Sequence, residues 1–155
     1  MALDRDLDLL SGVTFFEGIS SEALKLLAFS ADPRDFADKE RIFSAGDHAE
    51  GGYVVIDGRI DLVDERVKPP KVLERLGPGG LIGEIALLVD ARRPTAAVAV
   101  GPTRVLSIRR ALFRRMLEGY PDIAAHLRDR IAERLTRMAP QIRRIGETLG
   151  ALDEA

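Results

Sequence analysis

The 155-residue sequence contains no cysteine. Disulfides, thiolate zinc sites and cysteine-held iron–sulfur clusters are therefore excluded. Histidine is scarce: His48 and His126 are the only two, far apart in the chain. Both are read as surface or packing residues, and neither a histidine-based triad nor a metal site is expected. No apolar run approaches the roughly 20 residues needed to cross a bilayer. The opening MALDRDLDLL mixes acids with leucines and lacks a basic-then-apolar signal pattern. A cytoplasmic location with no membrane partner is the expectation. Charge of one sign is missing too: 23 Lys and Arg stand against 25 Asp and Glu, a net charge of -2. Nothing global favours nucleic acid as a partner.

What is present is ordinary hydrophobic content, 46%, in a length suited to one domain with a core. A single domain over 1–155 is expected, with three textures. Residues 1–33 form a helical lead-in. Ser20, Ser21 and Glu22 resemble a helix start, and Ala23, Leu24, Leu26, Leu27 and Phe29 give its apolar face. FFEGI before it reads as packed. Residues 34–109 have strand texture. RIFSAGD ends in a Gly-Asp turn. YVVIDGRIDLV reads as two strands of a tight hairpin around Asp57-Gly58, because Asp-Gly supplies positive φ. KVLERL alternates like a half-buried strand. AAVAV and TRVLSI read as two strands broken at Gly101-Pro102. Short strands punctuated by Gly and Pro suggest a small barrel or jelly roll.

Residues 110–150 are helical. ALFRRMLEGY is amphipathic, and Pro121 suits the first turn of a following helix. Leu127, Ile131, Leu135, Met138, Ile142, Ile145 and Leu149 then keep one stripe apolar, and Pro140 predicts a kink in it. Arg128, Arg130, Arg134, Arg137, Arg143 and Arg144 lie off the stripe and are read as a solvated face. The stripe is equally suited to packing on its own domain and to forming a homodimer.

Chemistry concentrates in GEIALLVDARRPTAAVAV, from Gly83 to Val100. If EIALL forms a short helix, its first N–H groups make an anion site near residues 83–86. Glu84 beside such a site cannot bind the anion but can accept hydrogen bonds from hydroxyls. An arginine returning nearby offers donors matched to phosphate. Together these describe a pocket for a ribose phosphate. The competing reading is a surface ion pair flanking a buried short helix. No base, nucleophile or metal cluster accompanies the stretch, so no enzyme is expected.

The same stretch resembles the phosphate-binding cassette, here residues 81–98, of the cyclic nucleotide-binding domain family. That family includes the bacterial catabolite activator proteins, regulatory subunits of cyclic-nucleotide-dependent kinases, and cyclic-nucleotide-gated channels. The resemblance extends over about residues 10–138, from FFEGISSEALKLLAFSADPRDF through LFRRMLEGYPDIAAHLRDRIAERL. It implies an α+β fold: an eight-stranded β-roll (a double-stranded β-helix or jelly roll) flanked by N-terminal and C-terminal helices. It implies a non-catalytic sensor whose ligand is cAMP, with cGMP less favoured, and which signals to an unknown effector protein without cofactor or metal.

By that resemblance Glu84 accepts from the ribose 2′-hydroxyl and Arg93 pairs with the cyclic phosphate. The amides of Gly83, Ile85 and Ala86 line the phosphate, and Leu81 and Ile82 wall the pocket. Base contacts come from around Met138 or the Thr95 side. The family's arginine is usually followed by a small residue, Ala, Thr or Ser, and Val. Here Pro94-Thr95-Ala96-Ala97-Val98 follows, one residue longer. Pro94 has no N–H to offer, so Thr95 and Ala96 inherit that place, and Arg92 is the reserve for Arg93. A nucleotide-free interaction module with a degraded cassette is the alternative. Residues after the long helix are too few for the helix-turn-helix of DNA-binding members, so none is expected.

Overall fold

The fold is described from a computed structural model covering residues 2–137. The described residues divide into two compact units, one ending at Gly119 and the other starting at Tyr120. The first begins with α1 (Ala2–Ser11), a 3-10 turn (Thr14–Phe16) and α2 (Ser21–Ser30). Ser20 caps α2, its Oγ accepting from the Ala23 N–H at 3.3 Å. Ala23, Leu24, Leu27 and Ala28 form the buried face of α2. Leu26 and Phe29, expected on that face, are instead exposed, Phe29 to 80%. They fall outside the arc set by Leu24, Leu27 and Ala28, which repeats every three to four residues.

Strands follow as β1 (Asp32–Phe36), β2 (Arg41–Phe43), β3 (His48–Ala49), β4 (Gly51–Asp64), β5 (Lys71–Leu76), β6 (Leu81–Ile82), β7 (Ala91–Arg92) and β8 (Ala96–Arg109). This is the eight-stranded roll, with α3 (Arg110–Gly119) after it. The main sheet runs β1-β8-β4-β5, with β2 also on β8 and β6 on β4. β3 and β7 form a separate two-stranded ribbon.

Two expected breaks are not breaks. β4 runs unbroken through Asp57-Gly58, and β8 runs unbroken through Gly101-Pro102. They pair antiparallel along their whole length, from Gly51 opposite Arg109 to Val63 opposite Ala96. The register shifts between Val55 and Asp57 and again between Asp57 and Arg59. The positive φ of Gly58 (86°) and Gly101 (74°) is spent on bulges that bend both strands at the same level. Thr103, buried there, donates to Arg59 O or Gly101 O at 3.1 and 3.0 Å. A side chain at Gly58 would collide with Pro102 O and Thr103. Gly58→Ala is therefore expected to cost about 2–4 kcal/mol in urea unfolding, from left-handed strain plus overpacking.

The bend folds one ladder over an interior cluster of Phe43, Val55, Ile60, Ile82, Ala97 and Val105. Phe36, Ile42, Tyr53, Leu62 and Leu76 pack on this cluster and remain partly open. β5 is exposed along nearly all its length rather than half-buried, because it pairs only with β4 at the sheet's edge. A second core lies among the helices, where the rings of Phe15, Phe16 and Phe113 meet at 5.8–6.1 Å. In the second unit, α4 starts at Pro121 and is described to Arg137. Among the described residues no helix is long and apolar enough to cross a membrane. Pro140 and the stripe from Met138 onward lie outside the described residues.

Candidate functional site

Arg93 owes its position to backbone pairing. β7 runs antiparallel to β3, with Arg92 opposite His48 and Ala91 opposite Ala49. Two further bonds extend the ribbon: Arg93 N–H donates to Asp47 O and Gly46 N–H to Arg93 O, both at 2.8 Å. The Gly46-Asp47 turn that receives them is itself closed by Ser44 N–H donating to the Asp47 carboxylate at 2.9 Å. Alternation along the ribbon sends Arg92 and Arg93 to opposite sides. Arg92 is exposed and donates to Gly46 O at 3.0 Å. Arg93 is turned inward and is 6% exposed.

Inside, the Arg93 guanidinium lies 4.4 Å from the Phe43 ring centre and 5.4 Å from that of Tyr53. Its Nη2 donates to Gly51 O at 2.8 Å. Its Nη1 occupies the space a Cβ of Gly83 would need. Gly83 has φ of 82° and must be glycine on both counts. Burial pushes the Arg93 guanidinium down from its ordinary value, opposed by Tyr53 and by Asp47. Among the described residues no carboxylate pairs with it. A cation held this way is a strong receptor for an anion that brings its own oxygens.

The residues after Gly83 form one turn of 3-10 helix, Ile85–Leu87, rather than a longer helix. Its own ladder starts with Leu87 N–H to Glu84 O at 3.3 Å, then Leu88 and Val89 N–H to Ile85 O at 3.0 Å. The amides of Ile85 and Ala86 precede that ladder and have no partner within it. Glu84, half-buried, opens the turn and follows Gly83, the residue against which Arg93 Nη1 lies. Leu81 and Ile82 pair with Val54 and Tyr53, placing the strand before the turn along the interior. Ile82 belongs to the core cluster, while the Ile85 side chain is 46% exposed.

After Arg93 the chain bends at Pro94-Thr95. Pro94 is exposed, Thr95 half-buried, and Ala96 buried at the start of β8, opposite Val63. Gly83, Glu84, the 3-10 turn and Arg93 are thus brought together, and Arg92 is not among them. Met138 lies outside the described residues.

Two residues escaped the sequence reading. Glu74 pairs with Leu62 across β4 and β5, and two positions on is Leu76, opposite Ile60. Leu62, Ile60 and Leu76 all belong to the interior side, so Glu74 faces that side at its open margin. The alternation of KVLERL carried this signal. The other is Arg110, whose Nη1 lies 3.1–3.2 Å from the carbonyl oxygens of Ala49, Ala86 and Val89. No local pattern announces it, since its partners come from two distant segments. Among the described residues no three His, Asp or Glu side chains gather as a metal site.

A buried guanidinium against a side-chain-free glycine, next to a carboxylate and to amides that precede the turn's own ladder, suits a ligand with an anionic group and adjacent hydroxyls. Known proteins point the same way. A family model described as the cyclic nucleotide-binding domain matches residues 33–120. The Cyclic AMP receptor protein of Thermus thermophilus is 30% identical over 127 residues, 81% of this chain and 59% of that protein. A cyclic nucleotide-binding-like protein from Brucella abortus matches in structure with TM-score 0.68 and 36% identity, over 74% of this chain and 99% of that one. The N-terminal domain of a transcriptional regulator from Streptomyces coelicolor matches with TM-score 0.76 and 26% identity, over 84% and 92% of the two chains. This chain spans about six-tenths of the length of the curated relatives it matches. By the extent of the family match and by these relatives, the chain belongs to the cyclic nucleotide-binding domain family.

Proposed function

We propose that this chain is a non-catalytic cytoplasmic sensor of a cyclic nucleotide, cAMP in preference to cGMP, and that it needs no cofactor. The observation that carries the reading is Arg93, buried between two rings with its guanidinium laid on Gly83. In this reading Arg93 pairs with the cyclic phosphate and the amides of Gly83, Ile85 and Ala86 complete its shell. Glu84 accepts from the ribose 2′-hydroxyl. Leu81, Ile82, Thr95 and Ala96 wall the pocket, and Glu74 gives an exocyclic amino group of the base an acceptor. The preference for cAMP follows the name of the Thermus relative.

Signalling is proposed to run through the C-terminal helices, which re-dock when the cassette tightens and present their apolar stripe to an effector or to a second copy. Such a switch requires that ligand bind one arrangement better than the other. Thermal unfolding with added nucleotide tests the reading. A ligand at 100 times its dissociation constant stabilises by about 2.7 kcal/mol, a shift of several degrees. cAMP is expected to give the larger shift and cGMP a smaller one, with both nucleotides recovered intact by chromatography. The competing reading, a nucleotide-free interaction module, is motivated by Pro94 and the extra loop residue. It is favoured if millimolar cAMP and cGMP both leave the transition unmoved.

A further inference from the structure

Arg110 is the first residue of α3, where a positive charge opposes the helix dipole. It is nevertheless drawn in, with its side chain 18% exposed. A single nitrogen, Nη1, faces three carbonyl oxygens: Ala49 O at 3.1 Å, Ala86 O at 3.2 Å and Val89 O at 3.2 Å. Ala49 belongs to β3, whereas Ala86 and Val89 bracket the far end of the 3-10 turn. Nη1 carries two hydrogens, so at least one is shared between acceptors. Nη2 lies 3.9 Å from Asp90, which also pairs with His48. The Arg110 backbone N–H donates to Glu50 O at 2.8 Å. One helical turn later Arg114 reaches Leu88 O at 3.4 Å. The opening turns of α3 thus hold the carbonyls of Ala86, Leu88 and Val89. The same turn carries Glu84 at its other end, and Phe113 anchors α3 to Phe15 and Phe16.

We propose that Arg110 is a positioning residue for the nucleotide site: it fixes the turn that presents Glu84 to both β3 and α3, so that any displacement of the turn is passed to the helix. The ligand-dependent half of this rests on the function proposed above. The mechanical half does not. A 3-10 turn of three residues has little rigidity of its own, and a cation shared by three carbonyls from two segments couples them without a hydrophobic contact.

The test compares wild type, Arg110→Met and Arg110→Lys by amide hydrogen exchange, first without ligand and then with saturating cAMP. In ligand-free Arg110→Met, the amides of Leu87, Leu88 and Val89 are expected to exchange about tenfold faster, while β4 and β8 stay as protected as in wild type. Lysine places three donors on one nitrogen and keeps the charge, so Arg110→Lys is expected to restore most of that protection. With cAMP, Arg110→Met is expected to bind about tenfold more weakly. Its α3 amides from Phe113 to Leu117 should no longer respond to saturation, as those of wild type do.

Unchanged exchange of the turn in Arg110→Met overturns the proposal. So does loosening that spreads through β4 and β8, which marks an ordinary structural residue. Arg110→Gln, neutral but still bearing an NH2, carries the same comparison if the methionine variant does not fold. Should wild type bind neither cAMP nor cGMP, the functional reading fails, and the ligand-free comparison still decides whether Arg110 couples turn to helix.

Discussion

Arg93→Ala is expected to weaken cAMP binding by about 10- to 150-fold in titration calorimetry. The figure converts the roughly 1.5–3 kcal/mol of a charge-assisted hydrogen bond into a ratio of dissociation constants. The structure separates this loss from any loss of folding. Arg93 is a cation taken out of water, its Nη2 held by one carbonyl, Gly51 O, and its face by the rings of Phe43 and Tyr53. Such a group costs desolvation energy in the free protein. Arg93→Met keeps the packing on both rings and removes the charge. It should unfold in urea no earlier than wild type while losing as much affinity as Arg93→Ala. Arg93→Lys should recover only part, because an ammonium is a point charge and cannot fork onto two phosphate oxygens. Arg92→Ala serves as the companion: its side chain is exposed on the Gly46 turn, so affinity should change less than threefold. If Arg93→Ala binds cAMP as wild type does, or if Arg92→Ala suffers the larger loss, the phosphate ligand has been misassigned.

The positions that announced the site are those where chemistry is local. Gly83 beside Glu84, an apolar turn and a pair of arginines follow one another within eleven residues, and the structure returns Arg93 to Gly83 through the β3–β7 ribbon. The Ser20 cap, the Gly46-Asp47 turn and the Pro121 helix start were legible for the same reason, each being decided by its own few residues. Gly58 and Gly101 misled because positive φ serves a hairpin and a bulge equally well. What decided between them was the partner strand, bulged at the same level and bonded through Thr103. The choice between Arg92 and Arg93 rested on the phase of a two-residue strand, too short to show its alternation in the sequence. Arg110 was illegible because its three acceptors meet it only after the roll has closed.

Gly83→Ala should be more damaging to the site than removal of Arg93 itself. Two demands fall on this position. Its φ of 82° costs an L-residue about 1–2 kcal/mol, and a methyl group there would enter the space of Arg93 Nη1 and approach Gly51 O to 3.1 Å. Relief requires the guanidinium to leave or the backbone to turn, and either displaces Glu84 and the turn amides together. Binding of cAMP should fall by more than about 150-fold, beyond what one lost charge-assisted bond explains. Strain and collision can be told apart within the same chain. Gly79 has φ of 87° with nothing within 4 Å of its absent Cβ. Gly79→Ala should therefore lose about the same stability in urea unfolding and keep wild-type affinity. The double variant Gly83→Ala, Arg93→Ala removes the atom that collides, so its losses should sum to less than those of the two single changes. Additive losses would mean that Gly83 and Arg93 act independently, and a cassette assembled on their contact would not survive that result.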